Sequence, residues 1–175
     1  MKHLFIVRHA QAQFNASGRD IDRPLSPSGA RDALRMAALT SSDLSGAGAG
    51  ADVGAGAPVF SCSPAVRTRQ TAGLFLETWS RSAVQLQLFD RGYATTPAAW
   101  LAHIQSWPNT AEQGWIWGHN PELSMLVNEL AGSDTSVELS PADIICLAFD
   151  INDWGAVFSA SGTITRHYIA SQHSQ

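Results

Sequence analysis

Three short stretches carry side chains that can hold an anion. Arg8-His9 follows the apolar run Leu4-Phe5-Ile6-Val7. Ser63-Pro64-x-x-Arg67 follows Pro58-Val59-Phe60-Ser61-Cys62. Gly118-His119-Asn120-Pro121 follows Trp115-Ile116-Trp117. A guanidinium group can grip two phosphate oxygens with its planar fork. A strand-to-helix junction adds outward-pointing backbone N–H groups, which also favour an anion. Arg8, Arg67 and Arg23 are therefore candidate phosphate ligands. Each stretch alone has a plainer reading: a surface pair, a solvated helix-start arginine, a simple turn. Their common place joins them, because ligands of open α/β sheets bind beyond the carboxyl ends of the strands. His9 and His119 also admit a metal-ligand reading. The sequence has no HExxH and no Cys pair, and carboxylate partners are not evident. Arg69 lies about 200° round a helix from Arg67, which makes it a solvated or salt-bridged residue. Gln70 and Thr71 share the Arg67 face at i+3 and i+4, where they can orient it or simply pack.

The elements that position these residues follow from hydrophobic periodicity. Leu4–Val7 reads as a strand buried on both faces, and residues 58–62 as a second. Ser26-Pro27 looks like an N-cap with Pro at the first helical position. Ala30, Ala33, Leu34, Ala37 and Ala38 then mark one helix face. Ser63-Pro64 repeats the cap signal before a helix with Thr68, Ala72, Phe75, Leu76 and Trp79 inward. Val84, Leu86 and Leu88 alternate with Gln85 and Gln87, as in a half-exposed edge strand. Thr96-Pro97 opens a helix with Trp100, Leu101 and Ile104 inward. Trp115–Trp117 is a strand. Asn120-Pro121 opens a fourth helix, with Leu123, Leu126, Val127 and Leu130 inward and Gly132 as its stop. Residues 144–149 and 162–169 read as late strands. Residues 41–57 are nearly all Ala, Gly, Ser and Asp, and read as a flexible surface loop rather than a domain linker. The expectation is an α/β three-layer sandwich, with a mostly parallel central sheet and helices on both faces. One domain spans 1–170, and 171–175 is a tail.

Composition narrows the function. A chain of 175 residues has the length of one domain. With 45% hydrophobic and 15% charged residues it is not a disordered chain. Its net charge is −4 and Lys2 is its single lysine, which argues against nucleic acid as a partner. Cys62 and Cys146 form neither a disulfide scaffold nor a zinc spacing. No apolar run reaches membrane-span length, and the stretch at the start is too short for a signal peptide. A cytoplasmic enzyme is expected, with no membrane partner.

Taken in order, Arg8-His9-Ala10, Arg23-Pro24-Leu25-Ser26-x-x-Gly29, Ser63-Pro64-x-x-Arg67-x-x-Gln70-Thr71 and Gly118-His119-Asn120-Pro121 resemble the histidine phosphatase superfamily, with its phosphoglycerate-mutase-like fold. The compact length and the Arg23–Ser26 segment are most similar to the small SixA-type phosphohistidine phosphatases. The resemblance reaches to about residue 169. Ala10 stands where the superfamily often has Gly, and residues 41–57 are longer than that branch needs. The resemblance implies His9 as the nucleophile, forming a phosphohistidine intermediate that water hydrolyses. Arg8, Arg67 and His119 would stabilise the transferring phosphoryl group, with Arg23 as a fourth. No metal or cofactor is implied. The catalytic acid of the larger mutases has Asp90 as its nearest candidate here. The implied substrate is phosphohistidine in a partner protein. The alternatives are a small phosphorylated metabolite on the same residues and a non-catalytic module that binds phosphorylated ligands. A mutase is disfavoured, since no long segment is available as a lid.

Overall fold

The computed structural model describes residues 1–14, 18–44, 56–81, 85–132 and 134–173. Six strands are named in chain order: β1 (Lys2–Arg8), β2 (Val59–Cys62), β3 (Gln87–Leu88), β4 (Gln113–Gly118), β5 (Ile144–Phe149) and β6 (Thr163–Tyr168). Four helices join them: α1 (Pro27–Leu39), α2 (Val66–Thr78), α3 (Pro97–Gln105) and α4 (Glu122–Ala131). The strands form one sheet in the order β3-β2-β4-β1-β5-β6. The pairs β3–β2, β2–β4 and β4–β1 are parallel, while β1–β5 and β5–β6 are antiparallel. This is the expected α/β sandwich with a mostly parallel sheet.

Each face of the sheet carries its own core, as period-two strands require. Phe5, Val7, Phe60, Trp115 and Trp117 pack against Met36, Ala37, Phe75 and Trp79 from α1 and α2 with its capping residue. Leu4, Ile6, Ile116 and Leu147 pack against Trp100, Ile104, Leu126 and Leu130 from α3 and α4. β1 and β4, central in the sheet, are covered on both sides. That explains their continuous apolar runs.

Several sequence expectations change in detail. Ser26 does cap α1, accepting from the Gly29 N–H at 3.0 Å, with Pro27 following. The buried stripe of α1, however, is Gly29, Ala33, Met36 and Ala37, while Leu34 is exposed. The stripe turns because Gly29 meets the backbone of Gln11. A Cβ there would lie 2.1 Å from the Gln11 carbonyl oxygen. Ser63 does not cap α2. Ala65 holds the N-cap position, and the Ser63 hydroxyl turns to His119 instead. Of the expected edge strand, Val84 lies outside the described residues, and the strand that the described residues form is Gln87–Leu88. Thr96 caps α3 as expected, accepting from the Ala99 N–H. α4 begins at Glu122, after a cis Asn120–Pro121 peptide, and stops at Gly132 with φ of 100°.

Of the segment 41–57, residues 45–55 lie outside the described residues. Ser41–Asp43 form a single helical turn rather than open loop. Asp43 is anchored there by Arg166 and the Tyr168 hydroxyl, and its carbonyl accepts from Gln113 at 2.7 Å. Residues Ala170–His173 form another short turn. Among the described residues no helix is long and apolar enough to cross a membrane.

Candidate active site

Parallel pairing sets the level at which the chemistry-bearing residues meet. β1 and β4 run in register, with Arg8 beside Gly118, and β2 places Cys62 beside Trp117. The ladder continues one residue further. The His9 N–H donates to the Gly118 carbonyl and the Ser63 N–H to the Trp117 carbonyl, both at 3.0 Å. His9, Ser63 and His119 therefore leave the sheet side by side. Arg67 follows in the first turn of α2.

The His9 ring is held in one tautomer. Its Nδ1 lies 2.8 Å from the Ala10 carbonyl, which can only accept, so Nδ1 carries the proton. The lone pair is then on Nε2, where the Arg67 Nε–H donates to it at 3.1 Å. Thr71 secures this corner from α2. Its hydroxyl accepts from the Ala10 N–H at 3.1 Å and donates to the Arg67 carbonyl at 2.8 Å. Gln70 reaches elsewhere and accepts from the Leu25 N–H at 2.7 Å. His119 is buried, with Nε2 2.7 Å from the Ser63 hydroxyl and Nδ1 3.4 Å from Arg67 Nη2. The two imidazole rings lie 5.0 Å apart, edge to face.

A pocket of about 210 Å³ opens over His9, lined by Arg8, Arg23 and Arg67 together with Gln11, Ala12 and Pro141. Arg8 is fixed by its Nη1 donating to the Leu139 carbonyl at 2.7 Å, while its buried Nε has no hydrogen-bond partner among the described residues. Arg23 donates to the Gln13 carbonyl and to Asp20. A larger groove, about 720 Å³, lies between α1 and α2. It is largely apolar and includes neither histidine. The smaller pocket is the one with the chemistry.

Burial pushes His9 down to about 4, and the charges of Arg67, Arg8 and Arg23 push the same way, against the Ala10 bond. Burial likewise takes His119 down to about 3, helped by His9 and Arg67. Both rings are neutral at pH 7. An uncharged His9 with its Nε2 lone pair facing a cationic pocket can attack phosphorus. The three guanidinium groups can take up charge on the phosphoryl oxygens.

A family model, described as histidine phosphatase superfamily (branch 1), matches residues 4–91, just over half of the chain. The chain belongs to the histidine phosphatase superfamily. It is a hydrolase of the phosphatase class. No curated protein matches it in sequence. Among solved structures, the fold of this histidine phosphatase is similar to that of a protein named phosphohistidine phosphatase SixA from Nakamurella multipartitia. The TM-score is 0.76 at 24% identity, over 95% of each chain. It is also similar to the protein histidine phosphatase SixA complexed with tungstate, with a TM-score of 0.72 at 20% identity, over 97% of this chain and 98% of that one. Phosphoserine phosphatase from Entamoeba histolytica, in complex with 3-phosphoglyceric acid, gives 0.63 at 12% identity over the whole of both chains.

Of the sequence candidates, Arg8, His9, Arg23, Arg67 and His119 come together. Asp90 does not join them. It stands exposed in the turn Asp90–Gly92, and no hydrogen bond to the two histidines or three arginines reaches it. Tyr93, three residues on, enters the site in its place. Its ring sits edge-on to His119, with centroids 5.4 Å apart, and its hydroxyl donates to Asp20 at 2.8 Å. Asp20 is the residue that sequence reasoning missed most plainly. Its carboxylate accepts from Arg67, Arg23 and Tyr93 at once. Its signal in the sequence was the i,i+3 spacing to Arg23, an ordinary surface pattern. The loop before β5 was missed too. Leu139 holds Arg8, and Asp143 takes the Ser140 and Ala170 N–H groups to keep that loop folded. It reaches the site because β5 runs antiparallel to β1.

Proposed function

We propose that this chain dephosphorylates phosphohistidine in a partner protein, through a covalent phosphohistidine of its own at His9. The observation that carries the reading is the His9 Nε2 lone pair, fixed by the Nδ1 bond to Ala10 and aimed at a pocket of three guanidinium groups. Nε2 gives up the hydrogen bond from the Arg67 Nε–H and attacks phosphorus, and the leaving nitrogen departs with its bonding pair. Water then attacks the phosphoryl-His9 and releases phosphate, restoring the neutral ring. Arg8, Arg67 and Arg23 bind the equatorial oxygens, and His119 contributes as the negative charge redistributes. No cofactor takes part.

Asp90 has no part in this mechanism, and that favours the phosphoramidate. A histidine leaving group departs as a neutral imidazole once its second nitrogen is protonated, so it leans less on an enzyme acid than an alkoxide does. The SixA names of two similar folds agree with this substrate. We read residues 1–170 as one domain, working in the cytoplasm, with Cys62 and Cys146 as free buried thiols.

The test is a side-by-side turnover assay with a phosphohistidine protein, sugar phosphates, phosphoserine and an aryl phosphate. The reading expects the phosphohistidine protein to give the highest kcat/KM. A small phosphate ester hydrolysed far faster would place the chain with the metabolite phosphatases. Binding of all these phosphates without turnover would make it a ligand-binding module.

A further inference from the structure

We propose that Asp20 is a specificity-determining residue, disfavouring substrates that carry a second negative charge next to the phosphoryl group. The proposal rests on the phosphatase reading above, but not on the partner-protein substrate. Asp20 Oδ2 accepts from Arg67 Nη2 at 2.9 Å and from Tyr93 at 2.8 Å, and Oδ1 accepts from Arg23 Nη1 at 2.9 Å. Its side chain remains half exposed, at the rim. Arg67 links it directly to the reacting atom, because the Nε of the same guanidinium touches His9 Nε2. The carboxylate thus lies within one guanidinium width and two hydrogen bonds of the nucleophile. That is inside the ~8–10 Å over which charges act at ordinary ionic strength.

The charges are arranged unevenly around the pocket. Asp143 and Glu138 act on Arg8, whereas Asp20 binds Arg23 and Arg67 directly. Arg23, the outer cation, is already committed to Asp20 and to the Gln13 carbonyl. A substrate carboxylate placed beside Arg23 would face the Asp20 carboxylate, which already engages that guanidinium. A neutral leaving group, such as the imidazole of a phosphohistidine, meets no such penalty.

The experiment compares phenyl phosphate with 4-carboxyphenyl phosphate, in the wild type and in Asp20→Asn. Losses that act through a loosened Arg67 fall on both esters and cancel in the ratio of kcat/KM values. The wild type should prefer phenyl phosphate, and Asp20→Asn should raise the relative rate of the carboxylated ester roughly tenfold, less at high salt. Tyr93→Phe, which removes a hydrogen bond but no charge, should leave the ratio as it is. The same two esters titrated calorimetrically onto His9→Ala, with and without Asp20→Asn, give the comparison without turnover. An unchanged ratio in both measurements overturns the role given to Asp20. Preference for a small ester over a phosphohistidine protein, with the ratio still shifting, overturns the substrate reading alone.

Discussion

A histidine buried among three guanidinium groups gives up its proton early, and that fixes the acid limb of the reaction. With His9 at about 4, the nucleophile stays neutral over the whole physiological range. After allowance for the ionisation of the substrate, kcat/KM for an aryl phosphate should hold level down to about pH 5 and fall through about 4. An inflection near ~6.5, the ordinary value of histidine, would contradict the burial assigned to this ring. Stability carries the same signature. The unfolded chain protonates both histidines near ~6.5, while the folded chain resists until about 4 for His9 and about 3 for His119. Their contribution is whole above ~6.5 and is lost as pH falls through the folded values. Two protons give a slope of at most about 2.7 kcal/mol per pH unit between the unfolded and folded values. Urea midpoints followed from pH 7 to 4.5 should fall, and should fall less in His9→Asn/His119→Asn. At this scale the sequence showed His9, His119 and the arginines, because each stands at a strand end. It hid Asp20 and Tyr93, which reach the site only through the return of two loops distant in the chain.

Besides the Arg67 bond to His9, helix α2 holds the backbone after the nucleophile through the Thr71 hydroxyl, and α1 approaches that segment through a missing side chain at Gly29. Thr71→Val strips the buried Ala10 N–H of its acceptor, where the Ala10 carbonyl orients His9. It should cost about 1–3 kcal/mol in denaturant titration and lower kcat as well. Full activity would show that Ala10 is held by other means. Gly29→Ala drives a Cβ against the Gln11 carbonyl, directly after the nucleophile segment. An overpacking cost of about 1–3 kcal/mol is expected, and a wild-type midpoint would mean that the loop gives way freely. The periodicity that announced these helices also shows its limit. α1 was read one residue off, with Ala30 and Leu34 inward, because an alanine-rich helix offers no strong contrast between its faces. Gly29, through its contact with the Gln11 backbone, sets the true orientation. The cap before α2 failed for a related reason. Ser63-Pro64 has the composition of a cap, yet His119 lies 2.7 Å from that hydroxyl and claims it.

Sheet order places the site for the molecule as a whole. With β2, β4 and β1 adjacent and parallel, three strand ends converge, and the antiparallel β5 brings its preceding loop to the same edge. The alternation of strands and helices made the three-layer fold legible, since double-sided burial leaves continuous apolar runs in β1 and β4. Strand order was not legible, because pairing between distant segments leaves no local pattern. Covalent transfer to His9 is the step that the convergence of these strand ends serves. Brief exposure to a donor labelled in its phosphoryl group, followed by an alkaline quench and peptide mapping, should find an acid-labile label on His9. His9→Ala should lose both label and turnover while remaining folded. His119→Ala should still take up label, with turnover slowed by about 10²–10³. Label on His119, or turnover surviving in His9→Ala, would rule out His9 as the nucleophile.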